Sequence, residues 1–566
     1  MSSSHHDRQR GTRPVLAVLA GLALSTSAAA QSPGAAEGAN SEDLTETIPP
    51  SGEDTVETIG PQEPAGAPDA EAQPAADAQS AGGDTHVQLS GYARQSLELV
   101  YGELSRRGRS TSEIANCPEA PCLWRDVFLS HTQLALRASY VQKRHFEATV
   151  SGMLGYTLHV AEQAPAYSNG VVDLTRGELD PQLREAYVGF FWPSVDLRIG
   201  QQRVAWGRAD FQSPNDVVNA RDLRNPFLSE NELRYLPTPV IRSSVNAGTF
   251  VLEGVLAPFF VPDRFDVYGT NWSAIQRHAP SQYQEFLGAT SLQVDPSIER
   301  EFAELWRQTE RPLDNGKGIS AGLKMAVNLP GVDLSGYYHY GFDSTPYVVL
   351  ADDFLTYLRD TNFMPANAAK LKPVLDLIDQ LRDRGGPIWA RYLRRHHAGL
   401  DLATVLGPVV LRLDAAYESR RVFYRVDFNS FATPAVLGVA SLEYQTGSLD
   451  NVVLLEFLAQ HMLDPLPEVV NAEGMLVSMP LLAYDRTTTA LAGTLRWTLG
   501  DSWGVDLRGL VGIHPQTYVL QPALRYKPND SWTVRLGALV LSGETTSFGW
   551  YYGDNDTAFV QVRYAF

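Results

Sequence analysis

The chain is predicted to be all-β: a transmembrane antiparallel β-barrel of about 18 strands, with 16 as the count its weaker segments also allow. Three observations predict it. Apolar and polar residues alternate with a period of two from residue 86 onward, aromatic residues gather near strand ends, and connections alternate short and long. With 44% apolar and 20% charged residues, the 566-residue chain is neither a helical membrane protein nor wholly disordered. Its formal charge of −19 argues against nucleic-acid binding, which needs a basic face.

Residues 1–30 read as an export signal peptide. Arg8, Arg10 and Arg13 precede an apolar run from Val15 to Leu24, and Ala28-Ala29-Ala30 supplies the small residues of a cleavage site. A membrane anchor is the other reading, for which the run is short. Residues 31–85 hold 12 acidic residues, seven prolines, no Lys or Arg and no aromatic residue. Such a segment buries too little apolar surface to offset its chain entropy, so a disordered acidic Pro/Ala-rich linker is expected. Residues 86–566 then form the barrel. No later stretch reaches 18 consecutive apolar residues, so strands must do any crossing.

The alternation is clearest where Phe146, Ala148, Val150, Gly152, Leu154, Tyr156, Leu158 and Val160 take every second position, with mostly polar residues between. Strands are expected near 86–101, 124–140, 145–161, 184–192, 195–204, 240–247, 250–258, 318–328, 331–342, 396–406, 408–420, 434–446, 449–461, 486–499, 502–513, 516–527, 531–543 and 557–566. Tight turns such as Leu329-Pro330-Gly331, Leu406-Gly407-Pro408 and Pro528-Asn529-Asp530 follow the even-numbered strands, and nearly all long connections follow the odd-numbered ones. Short periplasmic turns, long external loops and an even strand count describe an outer-membrane barrel, and strand-end aromatics such as Trp192, Trp497 and Trp532 suit the headgroup interface. Helical stretches are expected within the long external loops 259–317 and 343–395, from the apolar stripes around Phe302 and Leu375. At this strand number the lumen is wide enough for water.

The C-terminal strand, with Tyr564 and a terminal Phe566, resembles the end of Gram-negative outer-membrane proteins. That resemblance implies a signal for the barrel-assembly machinery and a place in the outer membrane of a Gram-negative bacterium, among its lipids. A second resemblance rests on Arg184-Glu185-Ala186-Tyr187-Val188-Gly189-Phe190, on Asp196 to Gly207, which includes Arg198, Gly200, Gln202, Trp206 and Gly207, and on Asn215-Asp216-Val217-Val218-Asn219. It is similar to a porin-like barrel family of unknown function with the pattern EAYV…LRxGxQxVxWG, distantly like substrate-selective porins. The resemblance implies a channel and names no cargo.

The connection 207–239 carries mixed charge: Arg208, Asp210, Asp216, Arg221, Asp222 and Arg224, with Asn219 among them. In porins the corresponding loop folds inward and narrows the pore, where facing charges orient polar solutes. The alternative is that these charges pair and pin the loop to the wall; the two are compatible. Inward wall positions carry equal numbers of basic and acidic residues, which names neither an anion nor a cation filter. Cys117 and Cys122 share one external loop in an oxidising compartment, so a local disulfide is expected, with a two-thiol metal site as its rival.

No enzyme is expected. Tyr167-Ser168-Asn169-Gly170 resembles part of an outer-membrane phospholipase motif, but Ala166 stands where a histidine is required. No phosphate loop and no zinc spacing occur, so neither cofactor nor metal is expected. The reading is a porin-like channel for small solutes. Its rivals are a structural or binding protein with a plugged lumen, and a component passing hydrophobic compounds or glycans with periplasmic partners. Homo-oligomerisation stays open.

Overall fold

The computed structural model describes residues 85–101, 128–142, 145–160, 175–264 (save 226, 229 and 230), 272, 318–353, 376, 380, 388–424, 430–445, 451–465, 486–513, 516–544 and 547–566. Eighteen strands form one sheet. They are β1 (Thr85–Val100), β2 (Phe128–Gln142), β3 (Phe146–Val160), β4 (Thr175–Phe191), β5 (Val195–Gln202) and β6 (Thr238–Ala247). Then come β7 (Phe250–Ala257), β8 (Ser320–Leu329), β9 (Val332–Phe342), β10 (Arg394–Leu406), β11 (Val409–Tyr424) and β12 (Ser430–Gln445). The last six are β13 (Val452–Met462), β14 (Thr487–Leu499), β15 (Trp503–Ile513), β16 (Gln516–Asn529), β17 (Trp532–Gly543) and β18 (Thr557–Ala565). Each pairs antiparallel with the next, and β18 returns to β1 with Tyr92 opposite Ala565, so the sheet closes. Closure gives every strand a neighbour on both sides over at least part of its length, as a hydrocarbon surrounding demands. Among the described residues no helix is long and apolar enough to cross a membrane.

The period of two decides which solvent each side chain meets. On β16, Tyr518, Leu520 and Leu524 point outward and stay 44%, 45% and 40% exposed, while Thr517, Gln521 and Arg525 point inward and are buried. Apolar out and polar in is the inverse of a soluble core, and the same inversion runs around the wall. Aromatic pairs stand at the short-turn end, with Trp503 against Tyr526 at 4.5 Å between ring centroids and Trp532 against Tyr564 at 4.8 Å. The turns there are two or three residues long, except the six-residue connection between β12 and β13. Gly331 has φ +80°, a left-handed value that a side chain would resist.

The largest departure from expectation is in β4. β4 begins at Thr175, nine residues before the expected start, and carries Gly177 and Asp180-Pro181, residue types that favour turns. The structure explains their tolerance. β3 pairs β4 from Thr175 to Phe190, but β5 pairs only Ala186 to Phe191, so the first half of β4 has a free side. A proline lacking its N–H costs little on such an edge. Arg184 sits in the bulge where the β3–β4 register shifts. The helical stretches expected in the long loops lie for the most part outside the described residues, although Asp376 and Gln380 are helical. Two short helices, Asn231–Arg234 and Phe548–Tyr551, are seen among connections.

The seam supplies a first prediction. The N–H and C=O of Phe566 bond the C=O and N–H of Gly91, each at 2.9 Å. Deleting Phe566 is expected to lower the yield of inserted barrel by at least a few-fold, read as the fraction with heat-modifiable gel mobility. An unchanged yield would mean that the seam closes without it.

Candidate functional site

The chain leaves the wall after Gln202 and returns at Thr238, and the described residues between them fold into the barrel. The departure is built by two residues. Trp206 is 2% exposed; its indole N–H donates to Glu253 at 2.8 Å, and its ring lies 5.4 Å from Tyr337. Gly322 on β8 is opposite, where a Cβ would run into the indole. Gly207 follows with φ +86°, and a side chain there would strike Ser213 and Asp414. Its N–H donates to the Tyr337 hydroxyl at 3.2 Å, which donates onward to Asp401.

Wall carboxylates then take hold of the loop backbone. Asp414 on β11 accepts from the N–H groups of Arg208 (3.0 Å) and Ala209 (3.1 Å) and from the Ser213 hydroxyl. Glu456 on β13 accepts from the N–H groups of Asp210 (2.8 Å) and Phe211 (2.7 Å). Side chains reinforce this: Arg208 reaches Asp401 at 3.0 Å and Asp333 at 3.2 Å, and Asp210 receives Arg412 at 2.8 Å. Buried charges paired through several hydrogen bonds each are the arrangement that burial tolerates.

The middle of the loop folds on itself. The Asn219 side chain accepts from Val204 N–H at 3.2 Å and donates to Val204 C=O at 2.7 Å, closing the loop at its root. Asn215 donates to Leu400 C=O at 3.1 Å. Asp216 is held near Asn219, and burial pushes its carboxyl up to about 6 against the pull of Arg203 and Arg221. Burial pushes Asp210 to about 6 as well, with Arg412 opposing. A cavity of about 50 Å³, lined in part by Asp216, Arg221, Asp343, Arg395 and Glu418, lies beside this part of the loop.

The returning half faces β4. Arg221 pairs with Asp263 at 3.4 Å, and Arg224 lies 2.6 Å from both Asp222 and Asp180. Burial works against the Arg224 charge, yet those two carboxylates outweigh it and raise its pKa. Residues Ala220–Arg221 form a small ladder with Tyr235–Leu236, and Arg184 from the β4 bulge donates to Tyr235 C=O at 2.7 Å. On the far wall, Phe211 and Phe227 pack with Leu510, Val519, Leu539 and Phe548, inward residues of β15–β17 and the helix after them. The loop therefore touches opposite walls.

All seven loop residues singled out in the sequence lie inside the barrel, but they do not form one ring of opposed charges. Arg208 and Asp210 meet the wall, Asp216 and Asn219 stitch the loop, and Arg221, Asp222 and Arg224 pair beside β4. Glu185, Tyr187 and Arg198 stand in the wall, where Glu185 takes Arg137 at 2.8 Å, Tyr187 donates to Glu147 at 2.9 Å and Arg198 lies 3.7 Å from Glu147. Gly200 packs against the backbone of Tyr187, and Gln202 donates to Val240 C=O at 3.4 Å. Tyr564 and Phe566 belong to the seam, away from the loop. Cys117 and Cys122 lie outside the described residues. Asp401, Asp414 and Glu456 belong to the inward acids that the alternation predicts, but no local pattern shows that they grip the loop. Sequence reasoning missed Asp263 and Tyr337 altogether.

A closed antiparallel wall, apolar outside and polar inside, with a loop of its own folded into the lumen, defines a barrel of the transmembrane type. The chain belongs to the family described as "Protein of unknown function (DUF1302)", which matches residues 160–566. No curated protein matches it. Among solved structures it is similar to OccAB1 of Acinetobacter baumannii, at 8% identity and a TM-score of 0.40, over 85% of this chain and 96% of that one. It is also similar to Salmonella typhi OmpF in complex with daunomycin, at 10% identity and a TM-score of 0.35, over 85% of this chain and 98% of that one.

Proposed function

We propose that the protein is an outer-membrane channel of a Gram-negative bacterium that passes small solutes, with the loop 207–239 setting the width of the path. One observation carries this reading: Asp414 and Glu456 hold four main-chain N–H groups of the loop against the wall. A constriction needs a fixed position, and carboxylates gripping backbone supply one. The apolar outer face and aromatic rim favour a bilayer as surroundings, and the terminal Phe566 favours insertion by barrel-assembly machinery. In this reading Glu185 to Gly207 is the family's signature because it builds the wall around the loop and its root. No reaction, metal or cofactor is assigned, since passage requires none.

Replacing residues 211–226 with a short Gly/Ser bridge tests the proposal. The replaced segment contributes no strand to the wall sheet, so the wall should stay closed. Single-channel conductance in planar bilayers is expected to rise several-fold. Equal conductance would take the loop out of the path. No conductance in either protein would favour the plugged, structural or binding reading, which has the packing of Phe211 and Phe227 on the far wall in its favour.

A further inference from the structure

The inward charges are balanced in number but not in place. From β9 to β13 the lumen side carries Asp333, Asp401, Asp414, Glu418, Glu443 and Glu456, and the loop or nearby arginines pair with them. From β14 to β17 the order reverses. Arg496, Arg508, Arg525 and Arg535 face inward on four neighbouring strands, with Asp506 the carboxylate paired among them. That one carboxylate is shared by three guanidiniums at 3.8, 3.5 and 3.6 Å, distances too long for hydrogen bonds. Arg234 of the loop adds a fifth guanidinium, close enough to Arg508 for their charges to repel.

Two features set this arc apart from a wall of ordinary ion pairs. Arg234 is 2% exposed, and none of its three guanidinium nitrogens has a hydrogen-bond partner among the described residues. The Arg535 Nε and the Thr494 hydroxyl, opposite Arg508 on β14, are also buried with no hydrogen-bond partner among the described residues. Buried donors left without acceptors cost free energy, and like charges held together cost more. The chain had carboxylates to spend on the other side of the lumen and placed them on the loop instead.

The geometry points to an anion-binding site on this arc, formed by Arg508, Arg535, Arg234 and Thr494, that takes small oxyanions carrying at least two negative charges. Guanidinium forks match carboxylate and phosphate oxygens, two hydrogen bonds at a time. Arg508, Arg535 and Arg234 bring three guanidiniums together and Thr494 adds a hydroxyl donor, a set that suits a dianion. The inference rests on the channel reading only for solute access to the lumen.

The test uses the full barrel in detergent micelles, titrated with inorganic phosphate or succinate by isothermal calorimetry, with chloride as the monovalent control. Phosphate, succinate or both are expected to bind in the micromolar to millimolar range and to weaken with added salt. Arg508→Gln and Arg234→Gln should each weaken binding at least tenfold, while Lys527→Gln at the short-turn rim should leave it unchanged. Arg234 lies in the loop, so its variant keeps the test open even where the wall variant fails to close. Absence of phosphate and succinate binding, or binding untouched in Arg234→Gln, would overturn the inference, whatever the bilayer conductance. Binding lost in the variants of a barrel that shows no conductance would uphold the site and remove the channel reading.

Discussion

Asp414→Ala is expected to free the inserted loop without opening the wall. The Asp414 carboxylate accepts from two backbone N–H groups and the Ser213 hydroxyl. Truncation strands three buried donors, each at a cost on the order of 1–3 kcal/mol. The β11 ladder does not involve the side chain, so the barrel should keep its heat-modifiable mobility. Trypsin offers the readout, because Arg208, Arg221 and Arg224 are shielded by their pairings in the docked loop. Cleavage at those arginines should accelerate at least tenfold. Asp414→Asn should fall between, since it keeps one acceptor oxygen and turns an amide donor toward donors. A cleavage rate equal to the parent's would mean that Glu456 and the Arg208 ion pairs suffice, and the grip attributed to Asp414 would be wrong.

Acidification is expected to tighten the same loop. Docked, the Asp210 and Asp216 carboxyls lie near 6; released into water they return toward about 3.9. Docking therefore takes up protons as pH falls through 6, and its gain is complete below the free value. The docked loop is held less firmly at pH 7, where both groups are buried and ionised, than at pH 4. The difference is on the order of a few kcal/mol if both groups act. Channel fluctuations and loop cleavage, with a protease active across the range, should fall between pH 7 and pH 4. Asp216→Asn should remove much of that dependence. A pH-independent loop in the parent protein would refute it.

Most of the wall was legible because a strand between two solvents writes its orientation at every second residue. Gly331 and Gly407 mark short turns for a similarly local reason. The β4 start was lost because Asp180-Pro181 is turn chemistry, and only the absence of a β5 partner there makes it tolerable in a strand. The loop's root, Trp206-Gly207, was visible, but its attachments were not. Arg208 meets Asp401 and Asp414 because the barrel curves round to bring β10 and β11 beside the end of β5, and no local pattern records that. The segregation of lumen charge was within reach. Counting inward charges hid it; reading them in strand order, acids on β9–β13 and arginines on β14–β17, would have revealed it.

The seam between β1 and β18 has a consequence in time. The strand made first must wait for the strand made last, and until then β1 offers one unpaired flank to whatever it meets. The pairing of Tyr92 with Ala565 is among the most distant in the chain, and such contacts form late because loop closure must come first. A half-emerged chain thus has a sticky side throughout its synthesis. The rate at which active protein accumulates should depend on how long that flank is shielded rather than on how fast any hairpin zips.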